Sequence, residues 1–201
     1  MKFSKTDFGY DLPSELIAKY PSQQRTESKT LILDNKFTIQ FFKDTLNHFA
    51  EYDLVVLNET KVRPARILLQ KDSGGYVEIL ILQKTTKYRA VCLAKGLNRK
   101  KTNQTLYAPN FPVKIKIISN VSKDIEIEFD QDIDQLCTEI GQMPIPPYLG
   151  REAEKIDIER YQTVFANDER LGSAAAPTAS LHMDDAFLMN VEHATQVCRI
   201  N

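Results

Sequence analysis

Val113-Lys114-Ile115-Lys116-Ile117 and Ile125-Glu126-Ile127-Glu128-Phe129 alternate apolar and charged residues without a break. A period of two puts every second side chain on one face of a strand, so each stretch has one buried and one wet face. Neighbouring stretches fit the same pattern. Ile67-Leu68-Leu69 precedes the turn Asp72-Ser73-Gly74-Gly75, and Tyr76–Gln83 and Tyr88–Lys95 read as further strands. Several short strands separated by turn residues predict a small barrel or curled sheet over 63–130.

Outside that region the period changes. Asp11–Ala18 reads as a short helix with Pro13 in its first turn. Thr30–Leu33 reads as a strand, and Phe41, Phe42, Thr45, Leu46 and Phe49 recur at helical spacing. Asp53-Leu54-Val55-Val56-Leu57-Asn58 is an apolar run closed by a polar residue, the pattern of a strand buried on both faces. Ile133, Leu136, Cys137 and Ile140 make a helical stripe ended by Gly141. Ile158, Tyr161 and Phe165 are spaced for another helix, and Asp184-Asp185 could open a last one reaching Val197. The expected architecture is an incomplete α/β domain, 1–62 plus 131–201, interrupted by an inserted all-β barrel-like domain, 63–130.

Composition narrows the classes. In 201 residues, 26 Lys+Arg face 27 Asp+Glu for a net charge of −1, which argues against a strongly basic nucleic-acid coat. No apolar run is long enough to span a bilayer, and Met1–Asp7 has no secretory h-region, so no membrane partner is expected. Cys92, Cys137 and Cys198 show no metal-ligand spacing. Cys92 and Cys137 read as buried thiols, and the odd count points to a reducing, cytoplasmic location.

Four segments are not demanded by local structure. In Asn58–Arg66, Asn58 and Thr60 offer neutral hydrogen bonds, while Lys61, Arg63 and Arg66 offer cations for phosphate or carboxylate. Gly74-Gly75 is a hairpin turn, and Glu78 interrupts an apolar stretch, most simply by facing solvent. In Gly141–Tyr148 the prolines stiffen the chain, and Tyr148 can stack on a ring. Ala174–Met183 is rich in small residues and carries Thr178 and His182; the histidine is a candidate acid, base or donor. A basic cluster, Lys95 with Arg99, Lys100 and Lys101, could contact RNA phosphates, although a solvated loop is the default. Lys114 and Lys116 could pair with Glu126 and Glu128 across neighbouring strands.

Taken in order, these segments resemble the S-adenosylmethionine:tRNA ribosyltransferase-isomerase family of queuosine biosynthesis. The carriers are Asn58-x-Thr60-Lys61-Val62 with Pro64-Ala65-Arg66, Gly74-Gly75-x-x-Glu78, Gly141-x-Met143-Pro144-x-Pro146-Pro147-Tyr148, Tyr161–Val164 and Ala175–Met183, with Tyr10–Pro13, Leu16–Ala18 and Tyr20-Pro21 ahead of them. The resemblance implies transfer and isomerisation of the ribosyl part of S-adenosylmethionine onto 7-aminomethyl-7-deazaguanine at the wobble position of tRNA, giving epoxyqueuosine. It implies S-adenosylmethionine as ribosyl donor, tRNA as partner and no metal. The candidate substrate-binding residues, read from their chemistry and position, are Asn58, Thr60, Lys61, Arg63, Arg66, Tyr148 and Thr178, with His182 as the catalytic candidate. Ser180 and Met183 replace the family's Gly and Phe, and a Cβ where Gly is chosen can strain the backbone. Tyr52 stands where Gly commonly precedes the Asp-Leu run. The resemblance is read to stop near Phe187, without the family's C-terminal motifs. Three readings follow: an active transferase, an inactive remnant or half of a split enzyme completed by a separately encoded C-terminal portion, or a retained RNA-binding β module.

Overall fold

The computed structural model describes residues 3–200 except 53, 110, 111, 121 and 122, and the backbone alone for 170–173. Asp53, which opens the apolar run read above, and Asn201, which ends the α/β range, lie outside the described residues.

In chain order the regular elements are β1 (Lys29–Leu33), β2 (Phe37–Phe41), α1 (Leu46–Ala50), β3 (Leu54–Asn58), β4 (Thr60–Val62), β5 (Arg66–Gln70), β6 (Tyr76–Lys84), β7 (Arg89–Lys95), β8 (Asn103–Tyr107), β9 (Pro112–Ser119), β10 (Ile125–Phe129), α2 (Ile133–Ile140), β11 (Gly141–Gln142), α3 (Lys155–Arg160), β12 (Asn167–Ser173), α4 (Asp185–Ala194) and β13 (Gln196–Ile200).

Strands β5-β6-β7-β10-β9-β8 form an antiparallel sheet that closes through a β8–β5 pairing, Gln70 opposite Tyr107. The alternating residues behave as their period requires. Val113, Ile115, Ile125, Ile127 and Phe129 fill the barrel with Ile67, Leu69, Val77, Ile79 and Ile81, while Lys114 and Lys116 stay outside. Helix α2 lays Ile133, Leu136 and Cys137 onto the same core, and β11 adds antiparallel to β5. The barrel core thus continues past residue 130. Glu128 lies opposite Lys116, but its carboxylate pairs at 3.1 Å with Arg89 on the other neighbouring strand.

The remaining elements make the α/β part, with two short parallel pairs, β13–β3 and β12–β4. Its core is Phe42, Leu57, Phe165, Met183, Phe187, Leu188 and Val191, with Phe42 and Phe187 rings 4.7 Å apart. Met183 is thus a core side chain.

Several helices are shorter than their spacing suggested. Around Asp11–Ala18 only a 3-10 turn forms, Ser14–Leu16, following Pro13. Phe41 ends β2, and a 3-10 turn over Phe42–Thr45 leads into α1. Helix α3 is capped reciprocally by Glu154 and Asp157 and stops before Tyr161, leaving Phe165 to enter the α/β core separately. Helix α4 is capped by Asp184 and ends at Ala194; Thr195 turns extended, and Val197 lies in β13 instead of a helix. Strand β3 is buried on one face only. Leu57 is buried, whereas Leu54 and Val56 remain 51% and 53% exposed, because among the described residues β3 has a single partner strand and helices α1 and α4 lie on one side.

Candidate functional site

The first wall of the site is the outer face of the barrel. Pro64-Ala65 leads into β5, and Arg66 sits opposite Leu80 with Glu78 one step away on the same face. Arg66 Nη2 donates to Glu78 Oε2 at 3.1 Å, and Lys95 stands directly across from Glu78 on β7. Glu78 therefore lies between two cations instead of simply facing water.

The second wall is positioned by Gly141. Strand β11 sets Gly141 opposite Ile67 and Gln142 opposite Arg66, which brings the proline segment alongside Arg66. That approach needs a missing side chain: a Cβ on Gly141 would lie 2.1 Å from the Pro64 carbonyl oxygen and 2.3 Å from that of Cys137. Pro144, Ile145 and Pro146 then run along the cavity. The third wall is Tyr161 with Ala174 and Ala175. Burial pushes the pKa of the Tyr161 hydroxyl up. The cleft between these walls, open on one side, has a volume of about 750 Å³, within the range of about 300–1,000 Å³ common for ligand pockets.

Not every candidate residue reaches this cavity. Tyr148 and Thr178 line an adjoining hollow of about 240 Å³, together with Tyr20. Lys61 pairs with Asp168 and lines a third cavity, of about 910 Å³, beside Gln162 and Thr163. The Gln162 amide makes both hydrogen bonds to the Val62 backbone, 2.9 and 2.5 Å, and so extends β4 as another strand would. Asn58 accepts from the Thr60 N–H at 2.9 Å in a local turn. Arg63 is buried, approaches Asp134 at 3.5 Å and acts electrostatically on the Cys92 and Cys137 thiols, so it presents no accessible charge. Burial raises those thiols to about 12 and about 11, which keeps them protonated at neutral pH.

His182 is likewise outside the cavity. Its Nδ1 lies 2.9 Å from Ser28 Oγ and its ring packs on Phe42, centroids 5.5 Å apart. Partial burial lowers its pKa, which favours the neutral ring. In this position it ties Ala174–Met183 to the N-terminal segment. Ser180 carries no left-handed strain, since no described residue other than glycine has a positive φ.

The basic cluster does not act as one patch. Lys95 lines the 750 Å³ cavity. Arg99 instead bonds the Asn120 side chain and the Lys123 carbonyl, at 3.4 and 3.0 Å. Lys100 and Lys101 are exposed on the turn after β7, with Lys101 beside Lys114 and Lys116 on the outer barrel face.

Arg151 is the residue that sequence reasoning missed. It makes a bidentate pair with Asp157, at 2.7 and 2.8 Å, and its guanidinium lies 4.5 Å from the Tyr20 ring centre. The one local cue was its place directly after the proline segment and Gly150. Among the described residues no cluster of three or more His, Cys, Asp or Glu could hold a metal ion, and no helix is long and apolar enough to cross a membrane.

The sequence pattern of the family described as queuosine biosynthesis protein matches residues 5–200. The chain belongs to that family. The match of this queuosine biosynthesis family runs through α4 and β13, past Phe187, so the tail follows the family pattern that the sequence reading ended too early. Two relatives carry the name S-adenosylmethionine:tRNA ribosyltransferase-isomerase. The protein of Acinetobacter baumannii strain SDF is 43% identical over 191 residues, 93% of this chain and 54% of its own length. That of Legionella pneumophila strain Paris is 37% identical over 192 residues, 94% of this chain and 56% of its own. The chain therefore spans about half the length of the curated relatives it matches. A solved S-adenosylmethionine tRNA ribosyltransferase from Thermotoga maritima aligns over 96% of this chain and 56% of its own, at 21% identity and a TM-score of 0.35.

Proposed function

We propose that this chain binds S-adenosylmethionine in the 750 Å³ cavity and contributes to transfer and isomerisation of its ribosyl moiety onto 7-aminomethyl-7-deazaguanine at the tRNA wobble position, in the cytoplasm. The observation that carries the reading is convergence. Segments that start at residues 64, 74, 141, 161 and 174, far apart in the chain, supply the walls of one cavity. The charges suit the donor: Arg66 and Lys95 are placed for a carboxylate, and Glu78 for the ammonium or sulfonium of the same molecule. The sulfonium acidifies the adjacent ribose carbon, so the transfer needs a base to take that proton, and adenine and methionine leave as the ribosyl carbons become the epoxide-bearing ring. For tRNA phosphates the exposed Lys100 and Lys101 are the proposed contacts, joined by Lys114 and Lys116 on the barrel face. The domain division that accompanies this reading is a barrel unit over 63–142 inserted between 1–62 and 143–200.

The test is calorimetry with S-adenosylmethionine on the folded chain. Arg66→Ala is expected to weaken binding about tenfold or more, as loss of a charge-assisted hydrogen bond does. A folded protein that binds no S-adenosylmethionine sinks the proposal.

A specific observation also favours the reading in which further polypeptide completes the unit. Register pairs Leu31 with Ile39 and Leu33 with Phe37 on one face of the β1–β2 hairpin. Leu33, Phe37 and Ile39 are 70%, 80% and 71% exposed. Parallel strands such as β3 and β13 are ordinarily covered on both faces, and the relatives have nearly as much sequence again beyond the matched part. The proposed cover is polypeptide equivalent to that remaining length, on the same or a separate chain. Changing Phe37 and Ile39 together to Lys is expected to raise the solubility of the isolated chain and to abolish capture of such a polypeptide. Unchanged capture would count against this face.

A further inference from the structure

The cleft of about 910 Å³ that Lys61 lines has no part in the function proposed above and shares no lining residue with the S-adenosylmethionine cleft. The segments that form it are 23–25, the end of α3, 162–164 and the start of α4. Two guanidinium groups line it. Arg25 donates from Nη1 and Nη2 to the backbone carbonyls of Leu181 and Glu159, at 3.1 and 3.0 Å. Arg160 donates from Nη1 to the carbonyl of Gln23, at 3.0 Å. Among the described residues neither arginine forms an ion pair.

Their positive charge is not balanced from within. Burial and the neighbouring Arg160 hold the Arg25 guanidinium below its ordinary value, and the weaker pull of Glu159, Asp185 and Asp184 does not offset them. Two acids of the cleft are engaged elsewhere. Asp168 pairs with Lys61, and Asp184 accepts from the Phe187 N–H and the Thr26 hydroxyl, at 2.8 and 3.3 Å. Hydrogen bonding is incomplete as well. Thr163 is only 5% exposed, yet its Oγ1 has no partner among the described residues, and neither does the buried Nε of Arg160. A buried polar atom left unpaired costs free energy, so native structures keep few of them. Arg160 Nη2 likewise donates to no described residue. Nε and Nη2 form the edge with which a guanidinium grips two oxygens of one oxyanion.

We propose that this cleft binds a phosphate monoester, with the Nε–Nη2 edge of Arg160 and the Thr163 hydroxyl as donors and Arg25 as the second positive charge. A carboxylate has two oxygens and would leave part of this set unused. A phosphate monoester has three non-ester oxygens and up to two negative charges, which match two donors on Arg160, one on Thr163 and a pair of cations. The cleft is large enough for the organic body that carries the group, and Val62, Pro64, Met143 and Ile158 give that body apolar surface to pack on.

Calorimetry and thermal unfolding of the full chain at fixed ionic strength test this with inorganic phosphate, ribose 5-phosphate, ribose and an RNA stem–loop without a terminal phosphate. Ribose 5-phosphate is expected to bind more tightly than inorganic phosphate and to raise the unfolding temperature, and ribose to do neither. Arg160→Lys keeps a charge but loses the two-donor edge, and is expected to weaken ribose 5-phosphate about tenfold. Thr163→Val removes the unpaired hydroxyl at nearly the same volume. It is expected to weaken the ligand about fivefold, yet to unfold without ligand at or above the wild-type temperature, because no internal hydrogen bond is lost. This variant leaves the backbone contacts of Arg25 and Arg160 in place, so it decides the matter if Arg160→Lys does not fold. Earlier unfolding of Thr163→Val without ligand would show that the hydroxyl serves the fold, and the site would fall. The site also falls if ribose 5-phosphate does not bind, if chloride stabilises as well as phosphate, or if Thr163→Val binds as wild type does. If the stem–loop depends on Thr163 and ribose 5-phosphate does not, the cleft takes a backbone diester and the monoester assignment is wrong.

Discussion

Gly141→Ala is expected to destabilise the chain by about 3 kcal/mol or more, at the upper end of overpacking effects. The reason is geometric. The new Cβ would lie 2.1 Å and 2.3 Å from two backbone carbonyl oxygens, those of Pro64 and Cys137. Neither can swing aside like a side chain. Pro64 leads into β5, and Cys137 belongs to α2, which packs on the barrel core. Relief requires separating β11 from β5, which also removes the proline segment from beside Arg66. Loss of S-adenosylmethionine binding should therefore accompany the loss of stability. Gly74→Ala provides the comparison. Gly74 has a φ of 84° and open space where its Cβ would go, so that change should cost only about 1–2 kcal/mol for the left-handed backbone. Urea midpoints measure both. Equal midpoints for the two variants would show that the approach of Gly141 to Pro64 is not limiting.

Arg151→Ala is expected to cost about 3–5 kcal/mol, the usual consequence of removing one partner of a buried ion pair. The side chains of Arg151 and Asp157 are only 10% and 6% exposed, and their contact is bidentate. Without the arginine, Asp157 keeps its bond from the Glu154 N–H but loses the countercharge. Replacing both partners by apolar residues of similar volume should be milder than Arg151→Ala alone. The pH dependence has a definite sign. The Arg151 guanidinium beside Asp157 holds its carboxyl below the ordinary aspartate value of 3.8. The pair's contribution is therefore complete above pH 3.8 and is lost as pH falls through the lower folded-state value. Wild-type and Arg151→Ala stabilities should differ most at neutral pH and converge in acid. Parallel curves down to the lowest measurable pH would rule out the ion pair as the cause.

The barrel was legible because its signal is local. Ile115, Ile117, Ile125 and Ile127 lie inside with Lys114 and Lys116 outside, as a two-residue period demands. Helical spacing was a weaker guide. Tyr161 and Phe165 share the spacing of Ile158, yet α3 stops before both, since one of them goes to the cavity wall and the other to a separate core. Val197 fell to β13 in the same way, drawn by pairing with β3 across more than a hundred residues of sequence. Such pairings leave no periodic trace.

The site divides along the same line. Sequence alone marked the segments that hold Arg66, Glu78, Tyr148 and Thr178 as not demanded by local structure. Residue type and order also sufficed to place the chain in its family. Tertiary structure decided which of them meet: Arg66 and Glu78 with Lys95 in one cavity, and Tyr148 and Thr178 with Tyr20 in the next. It also removed Arg63 to a buried position and gave His182 a partner in Ser28. Arg151 owes its place to contacts with Lys19 and Tyr20, more than 130 positions away in the chain. Periodicity and turn chemistry act between neighbours in sequence, whereas burial and ion pairing are settled by whatever the fold brings within a few ångströms.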